Sequence, residues 1–252
     1  MQKVKLLIIR HGDPDYVHDT LTERGRAEAE ALSGRLMREC VRERERENEN
    51  LTKVYCSPMG RAQATAAPFL AASGRTADTR EWLREIPYRI HQPLRAAGLA
   101  MEDRDSAPWK LSPALFSAYA DQLSDVNHWQ ECPIYREAGE LVAYVEKVRK
   151  GFDALLAENG ILCAGDGYRL CGVEPGTQRT LAIFCHMGLG LLLLSQLARM
   201  SPPLAWQRFC FQPSSVSTVL WEQDEGAESA ACHIVSIGDT THLSELGPNY
   251  RF

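Results

Sequence analysis

Apolar positions along this chain alternate between two spacings. Val4-Lys5-Leu6-Leu7-Ile8-Ile9 is a nearly unbroken apolar run and reads as a buried strand. From Thr22 to about Glu47 the spacing turns helical, with Ala29, Leu32, Leu36 and Cys40 on one face. Val54 to Cys56 is a short strand, Arg61 to Ala72 a second helix and Thr76 to Thr79 a short third strand. Residues 86–135 break the rhythm: prolines 87, 93, 108, 113 and 133 punctuate short segments, with a helix over Leu115 to Leu123. Leu141, Tyr144, Val145, Val148, Phe152, Leu155 and Leu156 define an amphipathic helix over 137–158. Ile161 to Cys171, around Gly165-Asp166-Gly167, has a hairpin pattern, and Glu174-Pro175-Gly176 a turn. A strand over 181–185, a helix over Leu189 to Leu197, and strands over Val216 to Trp221 and Cys232 to Ile237 complete the chain. The alternation predicts a three-layer α/β sandwich with a mostly parallel central sheet.

Two strands end in the same way. The first runs into Arg10-His11-Gly12, and the later one, Leu181 to Cys185, into His186-Met187-Gly188. Open α/β sheets carry their reactive groups at the carboxyl ends of strands. A single such histidine is commonly a structural group satisfied by a backbone bond; two at two strand ends, each opening onto a helix, suggest a site. Gly12 lets a ligand approach the backbone, and Arg10 offers a planar fork of donors suited to phosphate. The amides at the start of the helix after His186 can bind an anion. Cys56-Ser57-Pro58 reads as a helix start, with Ser57 as N-cap and Pro58 in the first turn. Arg61 then lies near the positive end of that helix, where a cation gains nothing from the dipole unless an anion binds. Glu85, in Trp82-Leu83-Arg84-Glu85-Ile86, is a carboxylate in a largely apolar setting and a candidate general acid, with Glu81 as its rival.

With these segments in order, the chain resembles the histidine phosphatase superfamily, the phosphoglycerate mutase-like family. The resemblance runs from Leu6 to about Ser217 and includes Leu7 to Gly12, Leu21 to Ala29, Cys56 to Pro58 with Arg61-Ala62 and Thr65-Ala66, Leu83-Arg84-Glu85, Phe184-Cys185-His186 and Ser215-Val216-Ser217. It implies a phosphoglycerate mutase-like sheet with one antiparallel strand. It also implies that His11 attacks phosphorus, that Arg10, Arg61 and His186 hold the phosphoryl oxygens, and that Glu85 protonates the leaving oxygen and later activates water. An imidazole with an ordinary pKa of about 6.5 is an available nucleophile at neutral pH. Positioning and electrostatic clamping supply most of the remainder of phosphoryl transfer, so neither a metal nor a cofactor is implied. The expected function is a phosphomonoesterase acting on a small phosphorylated metabolite. A mutase-type isomerase and a non-catalytic phosphate-binding protein of the same fold are the alternatives. Segments typical of the cofactor-dependent mutases are missing after His11 and Glu85, which favours hydrolysis. Met187 stands where the family often has glycine. Asp13 and Asp15 either orient substrate or, the favoured reading, organise the Asp13-Pro14 turn.

At 252 residues and 44% hydrophobic, the chain suits one domain, 1–252, with a helical cap insertion over 86–135 and a small hairpin insertion over 161–179. In the resembling family the cap sets substrate choice, which makes Arg89, His91, Arg95 and His128 contact candidates, though each alone reads as a surface residue. The net charge of -5 leaves no footprint for nucleic acid. The run Arg42 to Asn50 has balanced charge and reads as a solvated helix end or loop. No apolar run approaches the ~20 residues a spanning helix needs, and the start lacks a signal-peptide pattern, so a cytoplasmic location with no membrane partner is expected. The eight cysteines contain no Cys-x-x-Cys pair and no Cys-x5-Arg loop, which argues against a zinc site and a cysteine nucleophile. The oligomeric state is not encoded in any motif.

Overall fold

In the computed structural model, which describes residues 1–45, 49–95, 98, 101–165 and 167–250, the opening apolar run becomes β1 (Gln2–Arg10). The other strands of its sheet are β2 (Glu49–Cys56), β3 (Ala77–Thr79), β4 (Gln178–Cys185), β5 (Val216–Gln223) and β6 (Ala231–Asp239). Their order is β6-β5-β1-β4-β2-β3. β1 pairs parallel with β4, β4 with β2, and β2 with β3. β5 is antiparallel to both β1 and β6, so it alone runs against the rest. The sheet is thus mostly parallel with one reversed strand, as the resemblance implied.

Period-two alternation in β1 explains how the sheet is covered. Leu7 and Ile9 pack with Val54, Cys56, Ala182 and Phe184 on one face. That face receives Leu32 and Leu36 from α1 (Glu23–Glu45), and Ala62, Ala66 and Phe69 from α2 (Gly60–Ser73). Tyr55 points to the opposite face from Val54 and Cys56, and its hydroxyl accepts from Asn159 Nδ2 at 2.7 Å. Asn159 directly follows α3 (Gly139–Glu158).

The chain divides into two compact units. The first, residues 1–84, 153–187 and 211–252, holds the whole sheet with α1 and α2. It also holds the hairpin Ile161–Ala164/Gly167–Leu170, whose expected turn residue Asp166 lies outside the described residues. The second unit, residues 85–152 and 188–210, is built from short pieces: the pair Ile90–Gln92/Arg104–Ser106 and helices Pro113–Ala118, Ala120–Ser124 and Pro133–Arg136. Its aromatic centre is Tyr135, edge-on to Trp129 at 5.2 Å and 6.5 Å from Trp206. Buried Gln92 ties this unit's loops together, donating to the Lys110 carbonyl at 3.0 Å and accepting from the Ser112 amide at 2.8 Å. Long α4 (Met187–Leu197) and the short α5 (Pro202–Arg208) complete the helices.

Three local expectations are corrected. Ser57 is not an N-cap and Pro58 is not helical: α2 begins at Gly60, with Met59 as a cap that makes no side-chain bond. The expected helix over 115–123 is two short helices broken at Tyr119. The charged run Arg42 to Asn50, expected as a helix end or loop, ends in a strand. α1 ends at Glu45, residues 46–48 lie outside the described residues, and β2 already begins at Glu49.

Candidate active site

His11 directly follows β1, and backbone bonds fix it from both sides. Its amide donates to the Cys185 carbonyl at 3.0 Å, and its carbonyl accepts from the Ser214 amide at 3.0 Å. The side chain is 2% exposed. Its Nδ1 lies 2.7 Å from the Gly12 carbonyl oxygen. A carbonyl only accepts, so the proton sits on Nδ1 and the lone pair on Nε2. Burial is the main cause that holds this imidazole down at about pKa 3; the Gly12 carbonyl opposes it, and Arg10 and Arg61 add to the lowering. The ring is therefore neutral over a far wider range than its ordinary value of about 6.5 implies.

Gly12 also has a packing role that was not expected. A Cβ there would lie 2.8 Å from the Gly25 carbonyl oxygen, so its missing side chain admits the first turn of α1. Thr65 of α2, fully buried, accepts from the Gly12 amide at 2.9 Å and donates to the Arg61 carbonyl at 2.8 Å. One hydroxyl thereby joins the strand end carrying His11 to the helix turn carrying Arg61.

His186 is fully buried and its ring centroid lies 5.2 Å from that of His11. Nε2 is 2.8 Å from Ser57 Oγ, while Nδ1 has no hydrogen-bond partner. Burial first, then His11, Arg61 and Arg10, holds its pKa well below the ordinary value. Ser57 sits here because its amide bonds the Phe184 carbonyl at 2.9 Å, and its Oγ also accepts from the Met59 amide at 3.2 Å.

Arg61 is 6% exposed. Its Nη1 donates to Asp19 Oδ1 at 2.5 Å, and Asp19 Oδ2 accepts from the Gly60 amide at 2.7 Å. Arg10 donates through Nη1 to the Phe211 carbonyl. The Nε groups of both arginines are buried without partners. The His11 ring, the His186 Nδ1 edge and these two guanidinium groups thus lie in one unit, with polar atoms left for an outside group to satisfy.

Asp19, the linking role of Thr65 and the histidine-facing role of Ser57 escaped sequence reasoning. Asp19 sits in a loop with a positive φ of 47° and has no periodic or motif signal around it. Asp13 and Asp15 both organise turns: Asp13 accepts from Thr22 Oγ1 at 2.7 Å, and Asp15 accepts from the Val17 amide at 3.0 Å and bonds His18 Nδ1 at 2.7 Å. Burial pushes the Cys56 thiol up to about 12, which keeps it from forming a thiolate.

Glu85 lies in the second unit, and its setting is not the apolar one expected. Its carboxylate accepts from the amides of Ile86 at 3.1 Å, Gly188 at 3.1 Å and Leu189 at 2.9 Å. Those helix-start amides, expected to bind an anionic ligand, therefore bind a carboxylate of the chain itself. Glu81 is exposed and paired with Arg84. His91, Arg95 and His128 pair on the surface with Asp105, Glu102 and Asp125, and Arg89 bonds the Asp105 carbonyl at 2.7 Å. No described helix is long and apolar enough to cross a membrane.

Residues 6–120 match the family model of the histidine phosphatase superfamily, branch 1. No curated protein sequence matches the chain significantly. Among solved structures, a mutant phosphoserine phosphatase from Entamoeba histolytica in complex with phosphoserine superposes with a TM-score of 0.55 at 18% identity, covering 95% of this chain and 99% of that one. A mycobacterial glucosyl-3-phosphoglycerate phosphatase gives 0.52 at 17% identity, covering 94% and 99%. A mycobacterial hydrolase gives 0.55 at 20% identity, covering 94% and 91%. Residues 6–120 are thus similar to the histidine phosphatase superfamily, branch 1, and the fold of the chain is that of these solved structures.

Proposed function

We propose that this chain is a metal-independent phosphomonoesterase that hydrolyses a small phosphorylated metabolite through a phosphohistidine on His11. The observation that carries this reading is the His11 ring: buried, neutral, and with Nδ1–H held by the Gly12 carbonyl so that Nε2 keeps its lone pair. Nε2 attacks phosphorus, the ester P–O bond breaks, and the leaving oxygen takes a proton. Water then attacks the phosphohistidine, gives up a proton, and releases phosphate from Nε2. Splitting the reaction in this way replaces one hard displacement by two easier ones.

The unpartnered Nε groups of Arg10 and Arg61 are the donors assigned to the phosphoryl oxygens. Ser57 already accepts from Met59, so its own hydroxyl proton is available to His186 Nε2. That leaves the His186 proton on Nδ1, as a further donor. Glu85 is the proton carrier in this scheme. The exposed ion pair of Glu81 with Arg84 supports Glu85 over its rival. The names of the structural neighbours as phosphatases agree with hydrolysis. Residues 86–135 are the segment to which substrate choice is assigned.

The test is phosphate release from an aryl phosphate near pH 6 in EDTA, for wild type, His11→Ala and Glu85→Gln. Activity that is lost in His11→Ala, with acid-stable label absent and acid-labile phosphate on quenched wild type, supports the reading. Activity surviving His11→Ala overturns it. Rearranged phosphoglycerate without net phosphate release indicates a mutase, and binding of inorganic phosphate without turnover indicates a binding protein.

A further inference from the structure

We propose that Trp109 and Trp206 are positioning residues for Glu85, acting through the first turn of α4. This rests on the proton-carrier role given to Glu85 above. Gly188 is held at three points. Its amide donates to Glu85 Oε2 at 3.1 Å. Its carbonyl accepts from the buried indole Nε1 of Trp206 at 2.9 Å. Its Cα face carries the six-membered ring of Trp109: a Cβ built on Gly188 would lie 2.3 Å from Cζ3 and 2.4 Å from Cε3 of that ring. The same point is 3.0 Å from Glu85 Oε1. One missing methyl group therefore lets an aromatic ring edge and a carboxylate share a small volume, within a turn pinned by a second indole.

The physical consequence concerns the freedom of the carboxylate. A glutamate has three side-chain torsions, and a proton carrier misplaced by about 1 Å can cost about 100-fold in rate. Gly188 and Leu189 bind the carboxylate through two N–H groups of one rigid helix turn. The direction of those two bonds is only as fixed as the turn. Trp206 holds the turn from its carbonyl side, and Trp109 closes the space in which the carboxylate could swing.

A proton carrier matters most when the leaving oxygen is basic. The experiment therefore compares kcat/KM, which reports transfer to His11, for an alkyl phosphate and for p-nitrophenyl phosphate. The variants are Gly188→Ala, Trp109→Phe, Trp206→Phe and Glu85→Gln, each also tested for inhibition by inorganic phosphate. Gly188→Ala is expected to lose about 10-fold or more on the alkyl ester than on the nitrophenyl ester. The phosphate inhibition constant should move less than about 2-fold, since phosphate binding does not need the carrier. Trp206→Phe keeps the ring but removes the N–H, and should show a smaller loss of the same kind. In a Glu85→Gln background, neither change should add to the selective loss. Equal loss on both esters, or selective loss that persists in that background, overturns the proposal. If Glu85→Gln alone shows no preference between the esters, the carrier role itself fails. If Glu85→Gln shows the preference while Gly188→Ala, Trp109→Phe and Trp206→Phe do not, only the positioning role fails.

Discussion

Lowering the pH from 7.5 to 5 is expected to remove much of the stability of the first unit, through histidines that stay neutral when folded. His11 is held at about 3 and His242 at about 4, in both cases chiefly by burial. His186 lies well below its ordinary value for the same reason. Unfolded, all three take up a proton near their ordinary value of about 6.5. Each therefore contributes nothing above that value. As pH falls below it, each penalises the folded state by about 1.4 kcal/mol per pH unit, until its folded pKa is reached. By pH 5 His11 and His242 cost about 2 kcal/mol each and about 4 kcal/mol together, and His186 acts in the same direction. That sum is comparable with the 5–15 kcal/mol that a folded protein commonly has. Carboxylates do not confuse the window. Asp19 and Asp239 are held below their ordinary value of 3.8 by hydrogen bonds and arginines, so their stabilising effect is lost only at lower pH. The assay is urea unfolding by circular dichroism at half-unit steps of pH. The wild-type slope should approach at least two protons and fall by about one in either His11→Gln or His242→Gln. His242 packs against Arg35 and Ser214 and has no assigned part in catalysis, so its variant separates stability from activity. A wild-type midpoint that is flat between pH 7.5 and 5 refutes the reasoning. So does an unchanged slope in both variants.

Two further outcomes follow from the site. Gly12→Ala places a methyl group 2.8 Å from the Gly25 carbonyl, so it should destabilise by about 1–3 kcal/mol as overpacking does; a urea midpoint within error of wild type contradicts this. Asp19→Asn keeps the shape of the loop but removes the charge that Arg61 donates to, and should weaken inhibition by inorganic phosphate about 3- to 10-fold with little loss of stability, because the Asp19 side chain is partly open to solvent. An unchanged inhibition constant there means that Arg61 is positioned without Asp19.

The middle of the central sheet is legible in the sequence because β1 and β4 are buried on both faces and so appear as continuous apolar runs. The histidines stand out because each sits where such a run stops, a boundary that residue type and periodicity mark independently. Ser57 misleads for a physical reason. Its hydroxyl has two candidate partners, the open amides of a following helix and a histidine distant in sequence, and only the fold brings the second near. Asp19 and Thr65 are illegible for a related reason: an aspartate in a short loop and a threonine on a helix are ordinary locally, and their partners Arg61 and Gly12 are supplied by tertiary packing. Glu85 is recognisable as a position, while its three amide donors are not, because two of them lie a hundred residues further along the chain.

The order of the sheet also fixes when the candidate site can come into being. β1 is made before the other strands of its sheet, yet both its neighbours, β4 and β5, follow only after α1, α2, β2 and β3: Arg10 lies opposite Cys185, and Ile9 opposite Val216. Until then β1 has α1, α2 and β2 near it in sequence but no strand to pair with. Its apolar faces and open hydrogen-bonding edges must be kept from other chains during most of synthesis. Such distant pairings are slow to close. His11 thus meets His186 only once β4 has paired with β1, so chains stalled before β4 carry His11 without its partner. The site therefore reports that the sheet has closed around β1 as much as it results from that closure.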